Sequence, residues 1–173
     1  SEAESMYLKL LELSKENKDT RQNEYASYLY NIGMFYSHIK KYSLAENYLR
    51  ESLSLRKQLL GNQHLLYYYS ISGLAKFYFD TGNLKEAAIL FKEANSLALY
   101  LVQKNLPYMS EKGRAEFVED FQERYFTFAQ FAIEYSKQDL SVLGDLYNLR
   151  LATKAILLSM ESDIYTKAQN ITD

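Results

Sequence analysis

The sequence predicts an all-α solenoid in which antiparallel helix pairs, with repeats of about 42 residues, stack on one another and end in a longer helical hairpin cap. Two observations carry this prediction. The chain of 173 residues contains one Pro and six Gly, and both residue types weaken helix interiors. Residues 29–36 and residues 71–78 also share large, small and aromatic residues in the same order. Such repetition is typical of stacked helix pairs, because each pair buries the same face against the next.

The repeated pattern covers both helices of each predicted pair. Its first-helix positions are Leu29, Ile32, Gly33 and Tyr36, which return as Ile71, Leu74, Ala75 and Tyr78. Its second-helix positions are Ala45, Leu49 and Ser52, which return as Ala87, Phe91 and Ala94. Glu51 matches Glu93 in the same register. Small residues beside large ones allow two antiparallel helices to approach closely, so we expect these positions to form the core.

These residues resemble the tetratricopeptide signature, in which a small residue on the first helix is followed three positions later by an aromatic residue, and an Ala on the second helix is followed four positions later by a large residue. The period exceeds the usual length of about 34 residues, and in this it is similar to the long repeats of kinesin light chains. HEAT-type helix pairs of about 40–47 residues are the alternative, but the small residues fit the tetratricopeptide pattern better. The resemblance implies a binding scaffold and not a catalyst.

Residues 1–22 read as a half repeat. A helix is predicted over residues 2–16, and positions 3 and 7 precede Ala45 and Leu49 by one repeat length. This helix therefore corresponds to the second helix of a pair. Because the chain begins at Ser1 and not at Met, we expect it to be a piece of a longer protein.

Residues 23–64 read as the first complete repeat. Its first helix is predicted over residues 23–39, and a turn follows at residues 40–42. Ser43 is predicted to cap the second helix, with Glu46 completing a capping box. That helix is expected to reach Leu60, where Gly61 supplies the left-handed residue that ends it.

Residues 65–104 read as the second repeat, with helices over residues 64–80 and 84–104 joined by a turn at 81–83. Beyond it lies Pro107, which cannot continue a helix. We therefore assign residues 1–104 to the repeats and residues 105–173 to a C-terminal helical hairpin, a linker to a missing downstream domain.

The repeat period fails in this C-terminal part, where two long helices are predicted instead. The first follows Ser110 and runs to about Lys137, and the second begins at Asp139. The apolar stripe of the first comprises Phe117, Phe121, Tyr125, Phe128 and Ala132. The buried face of the second is predicted to comprise Val142, Leu146, Leu149, Ala152, Ile156 and Leu157. Stacked repeats need an atypical end unit, and this hairpin suits that role.

Composition argues against several classes of function. The formal net charge is −2, and a surface that follows nucleic-acid phosphates needs far more positive charge. The chain has no Cys, which removes thiolate metal sites and cysteine nucleophiles. His38 and His64 have no second His or Cys three or four residues away, so we expect no metal. We also expect no cofactor, no catalytic residue and no membrane segment, and a cytoplasmic location.

The predicted binding surface is a peptide-binding groove on the concave face of the stacked first helices, which we call the first-helix face. It lies between the packing positions, where apolar and polar side chains alternate. Its residues are Tyr30, Met34, Ser37, His38, Tyr69, Ser72, Lys76, Phe79 and Asp80. Exposed aromatic residues and Met beside polar groups suit an extended or helical peptide. The alternative is that some of these aromatic residues pack against a missing preceding repeat.

Three motifs in the C-terminal part carry a narrower resemblance. They are Asn105-Leu106-Pro107-Tyr108-Met109-Ser110-Glu111-Lys112 with Phe117, then Glu123-Arg124-Tyr125-x-x-Phe128, then Tyr147-Asn148-Leu149-x-Leu151-x-x-Lys154 with Leu157 and Leu158. They are similar to the helices that follow the repeats in bacterial proteins combining tetratricopeptide repeats with a CHAT domain. Ala155 departs from the Gly that is usual in the third motif.

This resemblance implies that the chain is the recognition or regulatory arm of a caspase-like protease. CHAT domains use a His and a Cys, and no catalytic residue can be carried over to a chain without Cys. Its expected partners are a protein or peptide ligand and the downstream domain of the same parent chain. The alternative is a sensory or adaptor arm of another signalling protein, such as a histidine kinase. An enzyme built on the helical bundle is a third reading, which the lack of converging titratable residues disfavours.

Overall fold

The computed structural model describes residues 2–16, 22–105 and 108–154, and no strand occurs within those ranges. The helices are α1 (Glu2–Glu16), α2 (Gln22–His38), α3 (Tyr42–Leu60), α4 (Leu65–Asp80), α5 (Leu84–Asn105) and α6 (Glu111–Tyr135). A further helix, α7, covers 141–154. The predicted helices are confirmed, most of them within two residues at each end. Predictions for residues 106 and 107, and for residues beyond 154, lie outside the described residues.

The chain divides into two compact units, Ser1–Ala94 and Asn95–Asp173. In the first unit α1 packs on α2, α2 packs on α3, and α4 packs on both α3 and α2. Every large, small and aromatic position of the repeated pattern is buried in this unit. Gly33 shows why small residues are needed, because a Cβ atom there would lie 2.8 Å from Cγ of Leu49. The repeated residues thus form the buried contacts between helices, and the predicted helix-pair solenoid fold is confirmed.

Both predicted glycine turns occur. Gly61 follows α3 with a φ of 78°, and its N–H donates to the carbonyl of Lys57. Gly82, in the turn after α4, has a φ of 80°. Glycine adopts a positive φ at no steric cost, so Gly61 ends α3 and Gly82 lies in the turn after α4, as predicted.

The predicted N-cap of α3 is wrong. The capping residue is Lys41, whose side chain makes no capping hydrogen bond, and Ser43 already lies inside the helix. The carboxylate of Glu46 does not reach back to the helix start, because it accepts hydrogen bonds from Tyr78 and Arg50. The Glu46 carboxylate therefore bonds to a tertiary partner, Tyr78, and not to the backbone at the start of α3.

The second unit is built around α6. Phe117, Phe121, Phe128 and Ala132 of its predicted stripe are buried, and Tyr125 is half-buried. Phe131, which the stripe did not include, is completely buried and stacks on Tyr135 with ring centroids 5.1 Å apart.

Polar side chains begin both helices of this hairpin. The Ser110 hydroxyl accepts from the Gly113 N–H at the start of α6, and the Asp139 carboxylate accepts from the Ser141 N–H before α7. On α7, Val142 and Leu149 are buried as predicted. Leu146 and Ala152 are half-buried.

None of the described helices is long and apolar enough to cross a membrane.

Candidate functional site on the first helices

Two kinds of tyrosine–glutamate hydrogen bond position the first helices, and both recur in the next repeat. Within a repeat, the hydroxyl of the first helix donates to a carboxylate of the second. The two bonds of this kind are Tyr25 to Glu51 (3.2 Å) and Tyr67 to Glu93 (2.7 Å). Between repeats, the first helix donates back to the preceding second helix. These bonds are Tyr36 to Glu4 (3.0 Å) and Tyr78 to Glu46 (2.5 Å). Each first helix is therefore tied to a second helix on either side of it.

Removing one of these hydroxyl groups should destabilise the repeat measurably. Tyr67→Phe is expected to lower the free energy of unfolding by about 1–3 kcal/mol, because the buried hydroxyl donates to a charged acceptor. Urea unfolding of the full chain measures the loss. Tyr147→Phe, which removes an exposed hydroxyl on α7, is the matched control and should change stability by less than about 0.5 kcal/mol. Equal losses of stability in the two variants would contradict a stabilising role of the tyrosine–glutamate hydrogen bonds.

Burial and these hydrogen bonds together shift the pKa values of several tyrosines and of Glu46. Burial, followed by the hydrogen bond to Glu4, raises the pKa of Tyr36 to about 12. Burial likewise raises the pKa of Tyr67 and of Tyr78. In the opposite direction, hydrogen bonds from Tyr78 and then Arg50 hold the pKa of Glu46 below its ordinary value of 4.5.

Stability should therefore fall in acid. Because the folded pKa of Glu46 is lowered, the unfolded chain takes up the proton first, so the contribution of Glu46 exists above pH 4.5 and is lost as the pH falls through the folded pKa. Urea unfolding from neutral pH to about pH 3 should show wild type and Glu46→Gln differing most at neutral pH and converging in acid. A constant difference would contradict the pKa shift.

The tyrosines give the opposite pH dependence of stability. Because the pKa values of Tyr36 and Tyr67 are raised in the folded chain, their contribution to stability is lost as the pH rises above 10.

Tyr30 contacts the next repeat directly. Its ring lies against Gly73 of α4, where an added Cβ atom would be 2.5 Å from Cε2 and 2.6 Å from the hydroxyl oxygen of Tyr30. The Tyr30 ring also contacts Arg56 of α3, whose guanidinium carbon lies 5.4 Å from the ring centroid. Tyr30, half-buried, thus joins α2, α3 and α4.

Arg56 is buried at this junction, with 4% of its surface exposed. One terminal nitrogen donates to the Leu66 carbonyl (3.0 Å) and the Ser70 hydroxyl (2.8 Å). The other donates to the Ser27 hydroxyl (3.1 Å). Its Nε has no hydrogen-bond partner within the described ranges. Burial lowers the pKa of Arg56. The repeated pattern carried no signal for this residue, because the equivalent position in the second repeat is Ala98.

The other predicted residues of the first-helix face differ in exposure. Met34, Ser37, Tyr69, Lys76 and Phe79 are half-buried, and His38 and Asp80 are exposed. Lys76 and Asp80 form an ion pair of 2.6 Å one helical turn apart. Tyr69 packs beside Tyr68, with ring centroids 5.8 Å apart. Ser72 is buried, and its hydroxyl has no hydrogen-bond partner in the described part of the chain. Met34, Lys76, Phe79 and Asp80 are thus all at least partly exposed, and they comprise apolar and charged side chains.

His64, which the sequence analysis considered as a metal ligand, caps α4. Its Nδ1 accepts from the Leu66 N–H at 3.1 Å, so the imidazole has a structural role. In the described part of the chain, no three residues among His, Cys, Asp and Glu come together as a metal site would require.

The sequence comparison identifies the repeats. Residues 24–98 match the tetratricopeptide repeat family. No curated protein matches the chain.

Fourteen chains of solved structures resemble the fold. One is the structure titled "Crystal structure of BtubC (BKLC) from P. vanneervenii", with a TM-score of 0.61 and 20% sequence identity. The similarity covers 92% of this chain and 57% of that chain, so this chain spans a little over half of that protein's length. At this identity the likeness shows the fold alone.

Proposed function

We propose that this chain, in which residues 24–98 form a tetratricopeptide repeat region, is a non-catalytic scaffold that binds a protein or peptide on its first-helix face. Tetratricopeptide repeats generally mediate protein–protein interaction. The observation that supports the proposal most is the duplicated set of tyrosine–glutamate bonds. Because these bonds hold α2 and α4 in equivalent settings, we propose that equivalent positions of the two helices share one surface, with different residue types in each repeat.

The chemistry of this surface favours a partly apolar peptide. Met34 and Phe79 offer a thioether and an aromatic ring, both partly exposed. Met adapts to differently shaped apolar side chains, and aromatic residues often dominate binding energy. The Lys76–Asp80 ion pair adds one positive and one negative group beside them. A peptide with two apolar anchors and a polar group between them fits this arrangement.

The variant Met34→Ala/Lys76→Ala/Phe79→Ala tests the proposal. A peptide-display selection against the full chain would supply ligands, and their dissociation constants would then be measured for each variant. The triple change should weaken binding at least about tenfold, because it removes the anchors. Leu44→Ala/Ile89→Ala, which removes exposed apolar side chains from the second helices, should leave binding unchanged. Selected peptides that bind the triple variant as tightly as the wild type would contradict the proposal.

A quadruple variant, in which Tyr30→Ala is added to the triple variant, tests whether Tyr30 also contacts the peptide. Because Tyr30 packs on Gly73 and Arg56, that variant must first be shown to remain folded. Circular dichroism and urea unfolding provide this check before binding is measured.

We further propose that the chain is the recognition or regulatory arm of a larger cytoplasmic protease of the CHAT family. The support is the resemblance of the three motifs between residues 105 and 158 to the linker helices of those proteins. In this proposal a ligand on the first-helix face would shift the arm between positions relative to a downstream catalytic domain. Such a shift can be no larger than the difference in ligand affinity between the two positions.

The coding sequence beyond Asp173 tests this context. A caspase-like module with a His and a later Cys would support the protease arm. A membrane-spanning helix or a kinase module would contradict it, and would favour the sensory reading. Either result leaves the binding experiment on the first-helix face unaffected.

A further inference from the structure

We infer that the second unit carries a separate docking site for an acidic amphipathic helix of a partner protein, in a cavity between α6 and α7. The cavity has a volume of about 370 Å³. It is lined by the end of α5, by one face of α6 and by α7, and its residues are all in the second unit. None of them belongs to the first-helix face, so this inference does not depend on the proposed function.

The floor of the cavity is apolar. Val102, Phe117 and Phe121 line it and are almost fully buried. Phe126, at the edge, is 65% exposed. On α7, Tyr147 is 63% exposed and Leu151 is 48% exposed. Exposed apolar side chains that extend a cavity outward are typical of an interaction surface.

Two cations lie beside this floor. Arg150 and Lys154 line the cavity one helical turn apart on α7. Neither has an ion-pair partner among the described residues, and no acidic residue is found among those that line the cavity there. On a helix with 3.6 residues per turn, Tyr147, Leu151 and these cations share one side. The site is therefore complementary to a surface that is apolar in the middle and negative at its flank.

A helix fits this surface better than a small amphiphile. A groove between two helices accepts the side chains that a third helix projects at intervals of three and four residues. One or two such side chains would fill the cavity, while the rest of the partner helix would cover Phe126 and Leu151. A small molecule confined to the cavity would leave Tyr147 and Leu151 exposed, since neither of them lines it. The geometry thus favours a helical partner, with Glu or Asp placed to meet Arg150 and Lys154.

Fluorescence anisotropy with the full chain tests the inference. The probe is a labelled helical peptide of about 16 residues with Leu along one face and Glu on its flanks. A second peptide has Lys in place of every Glu. The acidic peptide should bind at least about tenfold more tightly than the basic one. Arg150→Glu/Lys154→Glu should reverse that order, and Phe126→Ala should weaken binding of the acidic peptide about fivefold or more.

Two controls match these variants. Ile133→Ala removes a side chain of α6 that is 64% exposed and does not line the cavity. Lys85→Glu reverses an exposed charge in the first unit. Both should bind the acidic peptide like the wild type, and so should the triple variant of the first-helix face. That last result separates failure of this inference from failure of the proposed function.

Several outcomes would overturn the inference. Equal binding of the two peptides, or no effect of the double charge reversal, would remove the charge complementarity. A long-chain fatty acid that binds while the acidic peptide does not would assign the cavity to a lipid. A dimer that dissociates on Arg150→Glu/Lys154→Glu would assign it to a second copy of the chain. Competition by a synthetic peptide of residues 155–173, with no binding of the acidic peptide, would assign it to the chain itself.

Discussion

Replacing Gly73 with Ala is expected to destabilise the first unit by about 1–3 kcal/mol, although Ala ordinarily favours a helix over Gly. The reason is the close approach of Tyr30, whose ring would lie 2.5 Å from the new Cβ atom. Real Cβ contacts are essentially never that short, so the ring must shift away from α4, and the shift disturbs its packing against the Arg56 guanidinium. Urea unfolding of the full chain gives the change in free energy.

A second substitution distinguishes this clash from a general effect of Ala. In a Tyr30→Ala background, Gly73→Ala should be neutral or stabilise by up to about 1 kcal/mol, because the helix propensity of Ala then acts alone. Gly144→Ala on α7 is the matched control, since nothing lies within 4 Å of its Cβ position. It should also be neutral or stabilising. If Gly73→Ala costs the same with and without the Tyr30 ring, the contact between the two repeats is not as described.

Arg56→Ala is expected to have the second large effect, a loss of about 2–4 kcal/mol. The change removes the hydrogen bonds that Arg56 donates to the Leu66 carbonyl, the Ser27 hydroxyl and the buried Ser70 hydroxyl, which keeps its contact with Ser52. It also leaves a void at the junction of α2, α3 and α4. The void costs about 2–4 kcal/mol, while the loss of the hydrogen bonds is offset by the relief of no longer burying the guanidinium charge.

Arg56→Met should cost much less, within about 1 kcal/mol of the wild type, and it could even stabilise. Met preserves most of the volume and removes a guanidinium that is buried without a carboxylate partner among its described contacts. Buried charges are expensive, and apolar residues of similar volume often replace them without loss. Urea unfolding of both variants decides the matter. A loss for Arg56→Met as large as that for Arg56→Ala would mean that the hydrogen bonds outweigh the cost of burying the charge.

The helices and their core could be predicted from the sequence because the same residue types occupy the packing positions of both repeats. The residue types at Leu29, Ile32 and Tyr36 return one repeat later in the same order, and all of these positions are buried. The register of each helix against its own partner follows from that periodicity. The match of Glu51 with Glu93 also had a physical cause, since both accept from a tyrosine 26 residues earlier.

Contacts that depend on a neighbouring element were beyond such a pattern. Glu46 looked like part of a capping box, yet it bonds Tyr78, 32 residues away. Ser72 occupies a position predicted to line the first-helix face, and it is buried. Periodicity shows which way a side chain points on its own helix but not what covers it. The cavity of the second unit depends on the gap between α6 and α7, which no local pattern specifies.

The central claim, that the first-helix face binds a partner, is tested most directly by NMR of the methionine methyl groups. The chain has four Met, and Met34 on α2 is the one assigned to that face. When a selected peptide is added to the full chain, the Met34 methyl signal should shift or broaden, while the signals of Met6 on α1 and Met109 before α6 stay in place. A bound peptide that moves Met6 or Met109 and leaves Met34 unchanged would contradict the claim.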